Sequence, residues 1–338
     1  MKKGKVLVTG GFGYVGSRLT PHLVDSGYDV RVIDLALYGE DGYKALGNRA
    51  VEWIKGDIRD PRAVVDALSG VETVIHLAAI SNDPTGDIDE ALTRQVNFDA
   101  VGMLLGLAKK AGVKRFINAS SSSVFGIKED ENVVESLEPE PLTFYSKYKM
   151  LSEWLVVAAA SDEFTTVNIR PATVCGYSPR QRFDLTVNKL TIDALTKGVI
   201  SVHGGQQRRP NIGMDDMINI YCRLICVDKE KINGRTFNFG FENLKVIEIA
   251  EKIKEQLSDI DIKIEITESR DNRDYHISSH KIIKELGYEP VSSIAQQVSA
   301  IRKAYEGGNY SDPSSEKYYN MKSMSLNRQP TAYEYLAR

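Results

Sequence analysis

Short, near-continuous apolar runs and stretches of helical periodicity take turns along the first half of this chain. The apolar runs lie at 5–9, 29–34, 51–55, 73–77, 115–119 and 165–170, and helix-like patterns fill 14–26, 61–68, 90–111 and 144–160. Strand and helix alternating in this way predict an α/β fold, a doubly wound parallel sheet of Rossmann type. The strands are apolar throughout rather than at every second position, which fits burial on both faces.

After Cys175 the rhythm breaks. Pro179, Gly198, Gly204, Gly205 and Pro210 punctuate shorter elements, helical patterns return at 215–227, 246–257 and 280–286, and 263–267 reads as a strand. This pattern predicts a smaller substrate-binding domain, interleaved with the first. Its expected segments are 176–211 and 246–338, with 1–175 and a returning stretch, about 212–245, forming the Rossmann domain. The helices 90–111 and 144–160 spread apolar residues over more than one face. A helix of that kind is covered on two sides, so an isologous homodimer built on these helices is expected.

Composition narrows the possibilities. The 338 residues carry a formal charge of -3 and are 42% hydrophobic, which excludes nucleic acid or a membrane surface as the main partner. Phosphate contacts must then come from a few placed arginines. Three cysteines without paired spacing suggest reduced thiols and a cytoplasmic setting. Met1-Lys2-Lys3 before an apolar run superficially opens a signal peptide, but Gly10, Gly11, Gly13 and Gly16 interrupt it.

Those glycines carry chemistry. In 5–16, a strand runs into Thr-Gly-x-x-Gly-x-x-Gly and then a helix start, with Gly10, Gly13 and Gly16 at the fixed positions and Tyr14 and Val15 among them. The first glycine permits the tight turn, the second lets backbone N–H groups approach a pyrophosphate, and the third lets helix and strand pack closely. The helix N-terminus favours the phosphate charge. Asp34 ends the next strand, where a carboxylate accepts from ribose hydroxyls and repels a 2′-phosphate. NAD is therefore the expected cofactor. Arg31 falls on the other side of its strand.

Tyr145 and Lys149 stand four residues apart near a helix start, on one face. An ammonium beside a phenol favours the phenolate, and a tyrosine so tuned can take the proton of a hydroxyl while hydride leaves the same carbon. The run 118–126 places four serines at the C-terminal edge of a strand, facing the ligand crevice. Ser121 is the candidate to hydrogen-bond the reacting oxygen, with Ser122 and Ser123 lining the substrate. Asn118-Ala-Ser120 matches a glycosylation sequon but sits on an expected core strand. Cys222 with Cys226 and His276 with His280 have helical spacing without further ligands, so no metal site is expected and the two cysteines are read as core thiols.

Taken together, these residues resemble the extended short-chain dehydrogenase/reductase family, in its NAD-dependent nucleotide-sugar epimerase and dehydratase branch. The likeness includes Thr9–Gly16, Asp34, Gly56-Asp57-Ile58, His76-Leu-Ala-Ala79, Asn97, Ser121–Gly126, Tyr145 with Lys149, and 170–176. It implies that Asp57 and Ile58 contact adenine, that Leu77, Ala78 and Ala79 line the cofactor channel with Asn97 nearby, and that Pro171 lies by the nicotinamide. It also implies a nucleotide-sugar substrate held by Arg182 and Asn188 in the loop 178–188, by Arg209, and by Arg273. Arginine forks suit a diphosphate.

Two departures, Phe125 and Cys175 in place of the family's usual tyrosines, carry no expected catalytic consequence. A third matters. Sugar 4,6-dehydratases of this branch carry Asp-Glu directly after the catalytic Ser/Thr, and here those places are Ser122 and Ser123. The expected reaction is therefore oxidation or epimerisation of a sugar hydroxyl, at C4, without loss of water. The alternatives left open are an NADH-dependent keto-sugar reductase and a non-catalytic NAD(H)-binding protein.

Overall fold

The computed structural model describes residues 3–130, 132–268, 274 and 276–326. Seven strands build the central sheet: β1 (Lys3–Thr9), β2 (Tyr28–Asp34), β3 (Glu52–Lys55), β4 (Thr73–His76), β5 (Arg115–Ala119), β6 (Thr165–Pro171) and, after β7 (Thr173–Cys175), β8 (Val199–His203) and β9 (Arg208–Gly213), the late strand β10 (Arg235–Phe239). Their spatial order is β10-β6-β5-β4-β1-β2-β3, and each adjacent pair is parallel. Helices cover both faces. Val6, Leu7, Val8, Val32, Val74, Ile75, Phe116 and Ile117 are buried, as their unbroken apolar runs require. The order reverses between β1 and β4, and the crevice at their carboxyl ends is where ligands bind in such sheets.

Two small sheets complete the molecule. β9 lies between β7 and β11 (Glu242–Lys245), and β12 (Lys263–Thr267) pairs in parallel with β8. Helices Thr186–Lys197, Val246–Gln256 and Ile294–Glu306 pack round them on a core that includes Val187, Ile200, Val202, Ile249, Ile253 and Val298. The segment expected to return to the large domain divides. Helix Met214–Cys226 and β10 serve the large sheet, whereas β11 joins the small one.

The helix expected over 90–111 is not continuous. It runs as Glu90–Arg94, a π-turn Gln95–Asp99, and Ala100–Lys110. One extra residue per turn rotates the register, and such bulges recur at functional sites. Among the described residues no helix is long and apolar enough to cross a membrane. The expectation of two core thiols also needs correction. Cys226 is exposed and Cys222 half-buried, because their helix turns that edge outward, where Cys226 Sγ lies 3.2 Å from the Tyr28 hydroxyl.

Candidate active site

One cavity opens along the carboxyl ends of β1, β2, β4, β5 and β6 and gathers most of the residues singled out from the sequence. Its floor is the glycine loop. Gly10 has φ +71°, and a Cβ there would stand 2.7 Å from the Ala78 backbone nitrogen. A Cβ on Gly16 would stand 2.3 Å from the Gly10 carbonyl oxygen. Neither contact is tolerable, so glycine at these positions is what allows the loop to approach β4 and turn into its helix. Gly13, Val15 and Tyr14 line the same cavity.

Asp34 ends β2 with its carboxylate on the cavity wall, held by the backbone N–H groups of Phe12 (2.9 Å) and Ala36 (2.7 Å). Burial pushes its pKa up and these two bonds oppose the shift. Arg31 points away, donating to the carbonyls of Ala67 and Ser69 at 2.8 and 2.7 Å. Asp57, Ile58, Leu77, Ala78, Ala79 and Pro171 all face the cavity. The Asp57 carboxylate is clasped by Arg59, Nη2 to Oδ2 at 2.7 Å.

The proton-transfer group occupies one wall. Thr143 caps the helix Phe144–Ala158 by accepting from the Ser146 N–H, and the Ser146 side chain accepts in return from the Thr143 N–H. This reciprocal cap fixes where the helix begins, and so sets Tyr145 and Lys149 in its first two turns facing the cavity. Lys149 Nζ donates to the Ala119 carbonyl at 2.7 Å. Burial lowers the Lys149 pKa to about 8, and the charge of Glu153 works against that fall. Ser121 has extended backbone at the end of β5 and opens a short 3-10 turn. Its Oγ lies 2.7 Å from Ser123 Oγ, and Ser122 lines the cavity beside them.

Three expected site residues stand outside the cavity lining. Asn97, in the π-turn, does not line the cavity. Its side chain accepts from the Ile80 N–H and donates to the Ile80 carbonyl, both at 2.9 Å, so it staples the loop after Ala79 rather than touching a ligand. Asn188 is buried away from the cavity, with its amide committed to the Gly176 N–H, the Tyr14 hydroxyl and the Arg182 carbonyl at 2.9 Å each. Tyr14 completes that junction by donating to the Gly176 carbonyl at 2.8 Å. Arg209 is buried on β9 outside the lining, donating to the Arg208 carbonyl at 2.9 Å. Arg273 lies outside the described residues.

Arg182 does face the cavity. It forks onto Asp184 at 3.0 and 2.8 Å and reaches Ser81 Oγ at 3.1 Å. Sequence reasoning missed its neighbour. Arg180 also lines the cavity, with its guanidinium carbon 3.9 Å from the Tyr38 ring centroid. Arg180 Nε and the Tyr38 hydroxyl are buried with no hydrogen-bond partner among the described residues, and burial lowers the Arg180 pKa to about 10. The two arginines stand two apart in the loop 178–188 already singled out for the nucleotide sugar, but their approach to Tyr38 is a tertiary fact with no sequence signal. Asn320, from the last described helix, closes the same edge by accepting from Arg180.

Comparison with known proteins agrees with this geometry. The model of a family described as the NAD dependent epimerase/dehydratase family matches residues 6–240. A 3 beta-hydroxysteroid dehydrogenase/Delta 5-->4-isomerase of Mycobacterium tuberculosis is 32% identical over 60% of this chain and 55% of its own length. The chain spans about half the length of the curated relatives that match it first. The low-salt glycan biosynthesis protein Agl12 of Haloferax volcanii is 28% identical over 89% of the chain and 98% of its own length. Among solved structures, a UDP-glucuronic acid 4-epimerase from Bacillus cereus, in complex with UDP-glucuronic acid and NAD, superposes with a TM-score of 0.80. That pair is 26% identical over 90% of this chain and 99% of the other.

Proposed function

Since the chain belongs to the NAD-dependent epimerase/dehydratase family, we propose that it catalyses reversible oxidation at a hydroxyl-bearing carbon of a nucleotide-diphosphate sugar, at C4, without loss of water. The observation that carries this reading is the shared wall. Ser121, Tyr145 and Lys149 face the same cavity as the glycine loop and Asp34, and serines occupy the places of a dehydratase's acid pair.

The residues fit NAD. The glycine loop comes closer to β4 than any side chain would allow, and the orphaned Arg180 Nε and Tyr38 hydroxyl await a polar partner. Gly10–Gly16 would hold the diphosphate, Asp34 the adenosine ribose, Ile58 and Asp57 the adenine, and Lys149 the second ribose. NAD, when bound, supplies the hydride acceptor. Tyr145 takes the hydroxyl proton at its phenolic oxygen. Ser121 hydrogen-bonds the reacting oxygen, and the Lys149 ammonium favours the tyrosinate by its charge. Arg182 faces the substrate side with its charge partly met by Asp184.

A homodimer through the helices Phe144–Ala158 and Ala100–Lys110 belongs to the same proposal, supported by exposed Trp154 and Val157 on the first. The substrate reading is tested by thermal unfolding with NAD and a panel of UDP-, GDP-, CDP- and dTDP-sugars. A ligand that binds the folded state raises the midpoint. At least one nucleotide sugar is expected to do so where its free sugar does not, and a panel with no such member would count against the proposal.

A further inference from the structure

Behind the catalytic wall lies a buried charge pair that touches no reacting atom. Glu153 sits one helical turn beyond Lys149 and is 2% exposed. Arg170, on β6, grips its carboxylate side-on, with Nη2 to Oε2 at 2.7 Å and Nε to Oε1 at 2.9 Å. The Phe125 ring lies against the same guanidinium, 4.7 Å from its carbon to the ring centroid. Ser120 Oγ donates to Glu153 Oε1, while the Ser120 N–H donates to the Ile169 carbonyl at 2.8 Å. The carboxylate therefore pins the residue immediately before Ser121.

Lys149 is 4% exposed, and among the described residues its ammonium bonds to the Ala119 carbonyl. Its ionisable surroundings are few. Glu153 and Tyr145 share its helix, His76 faces it from β4, and Arg170 stands on β6 behind Glu153. Asp83 and Tyr221 face the same cavity from beyond Tyr145. His76 brings no charge at neutral pH, because burial and the neighbouring ammonium pull its imidazole down to about 3. Glu153 is then the one of these neighbours whose charge supports protonated Lys149. An ammonium in so dry a place sheds its proton easily, and a nearby opposite charge restores the charged form. A neutral lysine could not favour a tyrosinate.

We propose that Glu153 is a positioning residue of the reaction: its carboxylate, clamped by Arg170 and Ser120, keeps Lys149 protonated beside Tyr145 and fixes the strand end that presents Ser121. This rests on Tyr145 and Lys149 being the catalytic pair. Glu153→Gln preserves size and a hydrogen-bond partner for Ser120, but leaves Arg170 without its counter-charge. The double variant Glu153→Gln/Arg170→Gln removes both charges, and Glu153→Asp keeps the charge, so that folded protein is available even where the single variant is weak.

The test is the titration of Lys149 in the apoenzyme, followed by carbon NMR of protein labelled at lysine and assigned with Lys149→Met, beside the pH profile of kcat. Glu153→Gln is expected to lower the Lys149 titration by about one pH unit, the size of effect a nearby opposite charge has. The double variant should fall between it and the wild type, since no unpaired Arg170 repels the ammonium, and Glu153→Asp should stay near the wild type. The alkaline limb of kcat should follow the same order. An unmoved Lys149 titration in the charge-removing variants would overturn the proposal, whatever their stability. A titration that moves as expected, in an enzyme whose turnover survives Lys149→Met, would uphold the electrostatic link and refute the catalytic reading instead.

Discussion

The guanidinium of Arg180 lies over Tyr38, 3.9 Å from the ring centroid, and this contact carries a residue of the second half of the chain to the loop after β2. The backbone N–H of Arg180 donates to Ser17 Oγ at 3.4 Å, in the helix that follows the glycine loop.

Arg180→Gln is therefore expected to weaken NAD. A hydrogen bond to a charged group contributes about 1.5–3 kcal/mol, so the loss should be about ten- to a hundred-fold in affinity. Calorimetric titration with NAD, ADP-ribose and adenosine checks it. NAD and ADP-ribose should weaken together and adenosine should not, whereas equal NAD affinity in variant and wild type would remove Arg180 from the cofactor site. In the wild type NADP(H) should bind less tightly than NAD(H), because the Asp34 carboxylate on the cavity wall would repel a 2′-phosphate.

Tyr145→Phe keeps the ring and removes the proton path. Turnover should fall roughly 10²–10⁴-fold, the usual contribution of general acid–base catalysis, with NAD affinity nearly unchanged. Lys149→Met should damage both, since in the proposed mechanism the lysine serves the tyrosine and the ribose. Steady-state kinetics with parallel cofactor titrations separate the two, and a fully active Tyr145→Phe enzyme would displace the tyrosine from its role.

The pH dependence follows from Lys149. Burial lowers its pKa from 10.5 to about 8, so the enzyme should lose activity as the pH rises through about 8 and the ammonium is neutralised. The stability effect has the opposite sign. The unfolded chain holds this proton up to 10.5 and the folded one only to about 8. Burial of the charge is therefore a constant cost below pH 8, and that cost lifts between pH 8 and 10.5. Rate profiles and unfolding midpoints over this range should move in opposite directions if this group dominates both.

Much of this was legible in the chain because it is written in local spacing. Glycines three apart between a strand and a helix, an aspartate closing the next strand, and Tyr-x-x-x-Lys at a helix start are one-dimensional signals of a three-dimensional site. The misplacements share a cause. Asn97 and Asn188 sit beside the site in sequence pattern, yet Asn97 spends its amide on the backbone of Ile80 and Asn188 on two backbone groups and the Tyr14 hydroxyl, which spacing cannot reveal. The π-turn at Gln95–Asp99 broke a helix that looks continuous by periodicity. Helix Ile294–Glu306 shows Ile294, Val298 and Ile301 on one face, a pattern present in the sequence but short and flanked by serines. Arg180 meets Tyr38 only because the loop after β7 folds back across the first helix.

Trp154 is 55% exposed on the helix Phe144–Ala158, next to half-buried Leu155 and exposed Val157. If that face forms a homodimer, Trp154→Asp places a charge in an apolar interface and should yield a monomer. Light scattering at micromolar concentration would show the mass halved relative to the wild type. A wild type that is already monomeric would contradict the expected assembly.

The most direct test of the account follows the product itself. The enzyme is incubated with NAD and each nucleotide sugar that stabilises it, and the sugar is examined by mass spectrometry and by NMR of the ring protons. The account predicts either an unchanged mass with C4 inverted or a loss of two hydrogens, because Tyr145 moves the hydroxyl proton and no acid pair follows Ser121. A product lighter by one water would contradict it.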